Sequence, residues 1–290
     1  MSAAAVPGAA QEVPERTRIM GVLNVTPDSF SDGGRWFRHT EAVAHGVDML
    51  EQGADIIDVG GESTRPGSAR VSEEVELERV LPVIRELARD GARISIDTMR
   101  VSVARAALEA GATIINDVSA GQAESGMLGL AADSGADLVL VHWRGLLSDA
   151  AEPVHYDDTV REVAHELGQR VDAALAAGVH RESLILDPGL GFSKNAEHNW
   201  EILARLDVFA GMGMPLLVAA SRKRFLAALV SPDAPSEASL EHRDQATAAV
   251  TVLAAQAGAW AVRVHEPRAS LIAAQAVHQV RLAAAGIPEG

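Results

Sequence analysis

Eight groups of polar or glycine residues recur along this chain, each closing a short apolar run: Asn24; Gly60-Gly61-Glu62; Asp97; Asn116-Asp117; His142; Asp187; Ser221 with Lys223; and Arg263 with His265. Singly, each has a structural explanation. Asp97-Thr98 and Asn116-Asp117 could cap helices, and Asp187-Pro188-Gly189 could form a turn. Converging on one place, they would do chemistry. Lys223, Arg263 and His265, with Arg65 from a loop, make a local positive set in a chain of formal charge −15, and such a set favours an anionic group such as a diphosphate. On the opposite side, Asp97, Asn116 and Asp187 offer acceptors and an amide, which suit a flat, nitrogen-rich heterocycle presenting several N–H donors. No two of the aspartates have metal-binding spacing on one element, which disfavours a cage built by the protein alone. Ser221, Thr64 and His265 contain the parts of a hydrolytic triad, but neither their order nor their setting demands one.

The elements that must position these groups are legible as an alternation. Continuous Val/Ile/Leu-rich runs at 19–25, 55–60, 93–97, 113–117, 137–142, 184–187, 216–220 and 260–265 have the pattern of strands buried on both faces. Stretches with helical spacing follow them, at 41–52, 71–89, 101–109, 127–132, 160–177, 200–206, 243–257 and 269–285. Eight strands alternating with eight helices predict an α/β fold, a (β/α)₈ barrel in a single domain over 17–290, behind a loose tail at 1–16. Gly-Ala pairs at 53–54, 91–92, 111–112, 135–136 and 258–259 fit this rhythm, the glycine closing a helix and the alanine entering the next strand. An open doubly wound sheet is the alternative, without its glycine fingerprint after the first strand. In a barrel every strand ends at the same mouth, where active sites are built. The residues ending the eight runs therefore form one ring.

Composition narrows the class further. Charged residues make up 22% and hydrophobic ones 48%, ordinary values for a globular chain with a full core. Asp and Glu outnumber Lys and Arg by 40 to 25, which argues against nucleic acid or an anionic membrane surface as a partner. No apolar run approaches the ~20 residues of a membrane span, and the start lacks the features of an export signal. Cysteine is absent, removing disulfides, thiolate catalysis and cysteine zinc sites together. A cytoplasmic protein is the expectation. The loops at 26–34 and 62–68 are long, polar and glycine-containing, which at a catalytic face suits lids that exclude water. The Pro-, Ser- and acid-rich segment 231–241 reads as a solvated loop, and His142, Trp143 and Arg144 as strand-end packing with a surface charge.

Two of these loops carry a resemblance. Met20-Gly21-Val22-Leu23-Asn24-Val25-Thr26-Pro27-Asp28-Ser29-Phe30-Ser31-Asp32-Gly33-Gly34 is similar to the first signature of the dihydropteroate synthase family. The stretch from Gly53-Ala54-Asp55 through Gly60-Gly61-Glu62-Ser63-Thr64-Arg65-Pro66-Gly67 resembles the second. Ser95-Ile96-Asp97-Thr98, Ile115-Asn116-Asp117-Val118-Ser119, Asp187-Pro188-Gly189-Leu190-Gly191-Phe192, Ser221-Arg222-Lys223 and Arg263-Val264-His265 match in order, so the resemblance covers nearly the whole chain. It implies a transferase of folate synthesis that joins 6-hydroxymethyl-7,8-dihydropterin diphosphate to p-aminobenzoate. By the same resemblance, Asp97, Asn116, Asp187 and Lys223 would hold the pterin, and Thr64, Arg263 and His265 the diphosphate. Asn24 would help hold Mg²⁺ there, and Phe30, Arg65, Pro66, Phe192 and Ser221 would frame the p-aminobenzoate pocket, where sulfonamides bind in the family. Asp97, Asp187, Lys223, Arg263 and His265 would carry the catalysis, and a homodimer is implied.

One position departs from the family pattern: Val141 stands where methionine is frequent beside the pterin, and a slightly looser pocket is expected. Two rival readings exist. A pterin-dependent methyltransferase shares the pterin pocket but has no use for the loop at 62–67 or for Ser221-Arg222-Lys223. A non-catalytic pterin-binding paralogue is expected to lose Arg65, Lys223 or the Arg263/His265 pair, all present here.

Overall fold

Strands covered by helices on one face and by barrel interior on the other need apolar residues at consecutive positions, and the eight runs form strands for that reason. The computed structural model of the chain describes residues 15–26, 35–62, 71–145 and 155–286. The strands are β1 (Arg18–Asn24), β2 (Ile56–Gly60), β3 (Ile94–Asp97), β4 (Ile114–Asp117), β5 (Asp137–Val141), β6 (Leu184–Asp187), β7 (Leu217–Val218) and β8 (Ala261–Val264). All pair in parallel in the order β6-β5-β4-β3-β2-β1-β8-β7. The ring closes between β6 and β7 through a single bridge, Leu186 with Leu216, and the Leu186 N–H donates to the Pro215 carbonyl at 2.8 Å. The result is the (β/α)₈ barrel, and the expected strand positions hold to within about two residues at each end.

Helices α1 (Arg35–Glu51), α2 (Glu73–Arg89), α3 (Val101–Glu109), α4 (Met127–Ser134), α5 (Thr159–Ala176), α6 (Ala196–Ala204), α7 (Leu206–Ala210), α8 (Arg224–Val230), α9 (Leu240–Gln256) and α10 (Pro267–Ala284) cover the outside. The glycines of all five Gly-Ala pairs have positive φ, between 68° and 116°. Outer residues of the strands pack under the helices in two clusters, one around Leu23, Val59, Ile96 and Ile115, the other around Ile19, Leu216, Val218 and Val264. No helix among the described residues is long and apolar enough to cross a membrane.

Three expectations need correction. The stretch 200–206 belongs to two helices, because Asn195 starts α6 early with a reciprocal cap to His198, and the backbone breaks at Arg205 (φ −131°, ψ 39°) before α7. Helix α8 had no periodic signal: it is seven residues long and buries Phe225, Leu226 and Ala227 in succession. The segment 231–241 is not all loop, since Pro235–Glu237 form a 3₁₀ turn and Ser239 caps α9 by accepting from the His242 N–H at 3.2 Å.

Candidate active site

Strand parity fills the barrel with a definite set of side chains. Met20, Ile56, Ile114, Val139, Val141, Ile185, Leu217 and Ala261 make an apolar interior cluster. Side chains two residues apart share a face, so Ile56 is followed toward the mouth by Asp58, Ile114 by Asn116, Ile185 by Asp187 and Ala261 by Arg263. One rung is continuous across four strands: Asn24 pairs with Gly60, Gly60 with Asp97 and Asp97 with Asn116. A Cβ on Gly60 would lie 3.6 Å from the Asp97 Cβ and 3.7 Å from Asn24 Oδ1, so Asn24 and Asp97 face the same space across it.

Arg263 organises this set, and differently from expectation. Its Nε donates to Asp58 Oδ2 at 2.6 Å and its Nη2 to Asp97 Oδ2 at 2.7 Å, while Asn116 Nδ2 donates to the same Asp58 oxygen at 3.1 Å. A positive side opposite an acidic side is therefore not what forms. The long arginine crosses the interior and neutralises the carboxylates directly. Burial works against its charge, but Asp58 and Asp97 outweigh burial and raise its pKa. Burial pushes the Asp97 carboxyl up, Asp58 adds to the rise, and Arg263 opposes it. Three buried atoms lack any partner here: Asp58 Oδ1, Asn116 Oδ1 and Ser95 Oγ. Unpaired buried acceptors are costly unless something else satisfies them.

On the far wall, Asp187 Oδ1 accepts from the Gly189 N–H at 2.7 Å. Burial pushes Asp187 up, and Lys223 is the leading influence in the other direction. Burial likewise pushes the Lys223 ammonium down to about 8, with Asp187 opposing. Lys223 donates to the Leu190 carbonyl, and its Nζ sits 4.6 Å from the centre of the Phe192 ring. Ser221 Oγ lies 3.0 Å from His265 Nδ1 and accepts from the His265 N–H at 3.2 Å, so each fixes the position of the other.

Asp117, although at the ring, builds its own turn: its oxygens accept from Ser119 N–H and Oγ–H at 2.8 and 2.7 Å and from Gly121 N–H at 2.8 Å. Arg144 is not a surface charge. It pairs with Glu162 and Glu166 and stacks 4.0 Å from the Tyr156 ring centre. His142 is more than packing: Nδ1 lies 2.8 Å from Lys194 Nζ and Nε2 lies 3.0 Å from Glu166 Oε2. Burial first, then Lys194, push its imidazole down to about 3, so it is neutral, and the network assigns its proton to Nε2. Val141 is buried in the interior cluster, on the rung of Asp187. Phe30, Thr64, Arg65 and Pro66 lie outside the described residues.

The family model described as "Pterin binding enzyme" matches residues 20–265. The dihydropteroate synthase of Mycobacterium leprae is 49% identical over 261 residues, 90% of this chain and 92% of the relative. The chain belongs to the dihydropteroate synthase family of pterin-binding enzymes. Among solved family structures, that of Xanthomonas albilineans with 4-aminobenzoic acid is 43% identical with a TM-score of 0.84, covering 92% of this chain and 94% of that one. The same organism's dihydropteroate synthase has also been solved with 7,8-dihydropteroate (40% identical, TM-score 0.81, covering 92% of this chain and 94% of that one). That of Yersinia pestis, in a sulfonamide drug complex, is 38% identical with a TM-score of 0.84, covering 96% of this chain and 98% of that one.

Within the family fold, three side chains at the site escaped the reading of run ends. Asp58 and Ser95 lie inside strands, where only period-two counting from Ile56 and from Asp97 would place them inward. Lys194 lies in a loop with no periodic signal.

Proposed function

We propose that this chain is a dihydropteroate synthase, condensing 6-hydroxymethyl-7,8-dihydropterin diphosphate with p-aminobenzoate to give 7,8-dihydropteroate and diphosphate. The observation that carries the reading is the buried acceptor set, with Asn116 Oδ1 and Asp58 Oδ1 unpartnered beside Asp97 and Asp187. A pterin ring presents amino and ring N–H donors, and such acceptors would pair with them. Lys223, flat against Phe192, would cover the ring from the other side and approach a ring acceptor.

Pterin N–H groups engaging Asp97 would compete with Arg263 Nη2, turning that end of the guanidinium toward the diphosphate while Nε stays on Asp58. His265 and Thr64 complete the proposed diphosphate grip. One hard neutral donor, Asn24 Oδ1, faces this space, and no group of three metal-ligating side chains exists among the described residues. That donor set fits a Mg²⁺ held mainly by phosphate and water. When bound, the ion would add neutralisation of the leaving diphosphate. Loss of diphosphate leaves a cation conjugated with the pterin ring, which Asp97 and Asp187 would stabilise. The aniline nitrogen is a weak nucleophile, so a dissociative path is favoured, with water excluded until attack. Phe30, Arg65, Pro66, Phe192 and Ser221 are proposed to frame p-aminobenzoate, and sulfonamides to compete there.

A homodimer is proposed on the exposed apolar side chains Trp200, Leu229, Leu240 and Leu253 of α6, α8 and α9. A cytoplasmic location is proposed for the enzyme. The test is diphosphate release by the purified protein with the pterin diphosphate and Mg²⁺, with and without p-aminobenzoate. Release that requires p-aminobenzoate and is blocked by a sulfonamide is expected. Pterin binding without turnover would instead favour the non-catalytic paralogue, and no binding would overturn the site.

A further inference from the structure

We propose that Lys194 is the positioning residue of the loop between β6 and α6, tying its backbone to His142 so that Leu190 and Phe192 meet Lys223 in one fixed geometry. Lys194 is buried, with 7% of its surface exposed. An ammonium has three donors, and three acceptors surround this one: His142 Nδ1 at 2.8 Å, the Gly189 carbonyl at 3.1 Å and the Phe192 carbonyl at 3.0 Å. Two of the three are backbone groups of the same loop, at either end of the segment 189–192.

What that segment presents to the pocket explains why its position matters. Gly189 gives its N–H to Asp187, Leu190 gives its carbonyl to Lys223, and Phe192 lays its ring against the Lys223 ammonium. At Gly191 the backbone packs on Lys223 so closely that a Cβ would come within 2.6 Å of Lys223 Cδ. Lys194 bonds the carbonyls of Gly189 and Phe192 and none of the groups that meet Asp187 or Lys223. It acts through the backbone, and the backbone is clamped from outside as well. His142 is braced by Glu166, Glu166 by Arg144, and Tyr156, under Arg144, donates its hydroxyl to the Ser193 carbonyl at 3.0 Å. Ser193 itself is held at φ 49°. Burial pushes the Lys194 ammonium down to about 7 and nearby Asp187 opposes that.

The substrate arm of the test rests on the function proposed above, and the exchange arm does not. In the full-length protein, Lys194→Met keeps the length of the side chain and removes the donors. Held well below its melting temperature, this variant is expected to exchange the Gly189, Gly191 and Phe192 amides at least about tenfold faster. It is also expected to bind the pterin diphosphate and p-aminobenzoate about 10- to 100-fold more weakly, the scale of an ångström-level misplacement. A merely structural lysine would lower the melting temperature and leave both quantities unchanged in the folded protein. That result would overturn the proposal. If Lys194→Met does not fold, Tyr156→Phe loosens the same loop at Ser193 and should give about two- to fivefold changes in both readouts, and wild-type values there would equally overturn it. A wild-type protein without turnover would defeat the function while the exchange arm still decides the role of Lys194.

Discussion

Replacing Asp58 by asparagine tests how the pocket is held. Asp58 is fully buried, and its Oδ2 accepts from both Arg263 Nε at 2.6 Å and Asn116 Nδ2 at 3.1 Å, while Oδ1 has no partner. Asparagine keeps one acceptor in place but puts a donor group where the unpartnered oxygen was. Charge-assisted hydrogen bonds are roughly twice as strong as neutral ones, so about 1–2 kcal/mol is lost at Arg263. A buried amide N–H left without an acceptor at that position would cost a further ~1–3 kcal/mol. Relief of repulsion between Asp58 and Asp97 returns part of this, leaving about 3 kcal/mol of destabilisation. At about 2–4 °C per kcal/mol for a chain of this order of size, the melting temperature should fall by about 6–12 °C. Asn116, its anchor reduced from a carboxylate to a neutral amide oxygen, should also hold pterin less tightly, by about two- to tenfold. Thermal unfolding and titration calorimetry measure the two effects. A variant that matches the parent in both would refute the view that Asp58 organises the interior charges.

Three further outcomes are expected. Gly189→Ala forces a side chain at φ 68° to within 2.2 Å of the His142 carbonyl oxygen, so it should destabilise by more than about 3 kcal/mol in denaturant titration, and a small effect would mean the loop is free to shift. Lys223→Ala and Asp97→Ala should fold and lose more than about 100-fold in kcat/KM for diphosphate release, and full activity in either would remove the ring from catalysis. His142, pushed down to about 3 when folded against the ordinary 6.5 of an exposed imidazole, takes up a proton on unfolding below about pH 6.5, so its contribution is present above that pH and is lost as pH falls toward 3. At pH 5 that amounts to about 2 kcal/mol relative to pH 7. His142→Gln should flatten the pH dependence of stability by that amount between pH 7 and 5, and an unchanged slope would contradict a neutral, buried imidazole.

The fold was legible because a parallel barrel strand is buried on both faces and so appears as an uninterrupted apolar run. Asp97, Asn116 and Asp187 were legible because such runs end where the chain meets the mouth. Reach was not. Run ends carry no distances, so the reach of the Arg263 side chain across the interior to Asp58, a residue concealed within its own strand, is not readable from them. Helix α8 is too short to establish a period, and the contacts of Lys194 depend on a loop path that no spacing rule encodes. The roles proposed for Phe30, Pro66 and Thr64 come from the resemblance, and that of Arg65 from the resemblance and from its place in the positive set.

Seven junctions of the barrel are laddered, while the eighth, between β6 and β7, is one bridge at Leu186 and Leu216 beside a strand of two residues. The wall is therefore unevenly stiff, with a single seam. Asp187 stands on one lip of that seam and Ser221 and Lys223 follow the other, joined above it by the contact of Lys223 with Leu190. Anything gripped by both lips completes the cylinder as a stave completes a cask. A ligand held by Asp187 on one side and Lys223 on the other would therefore add the cross-link that the backbone ladder lacks at this junction.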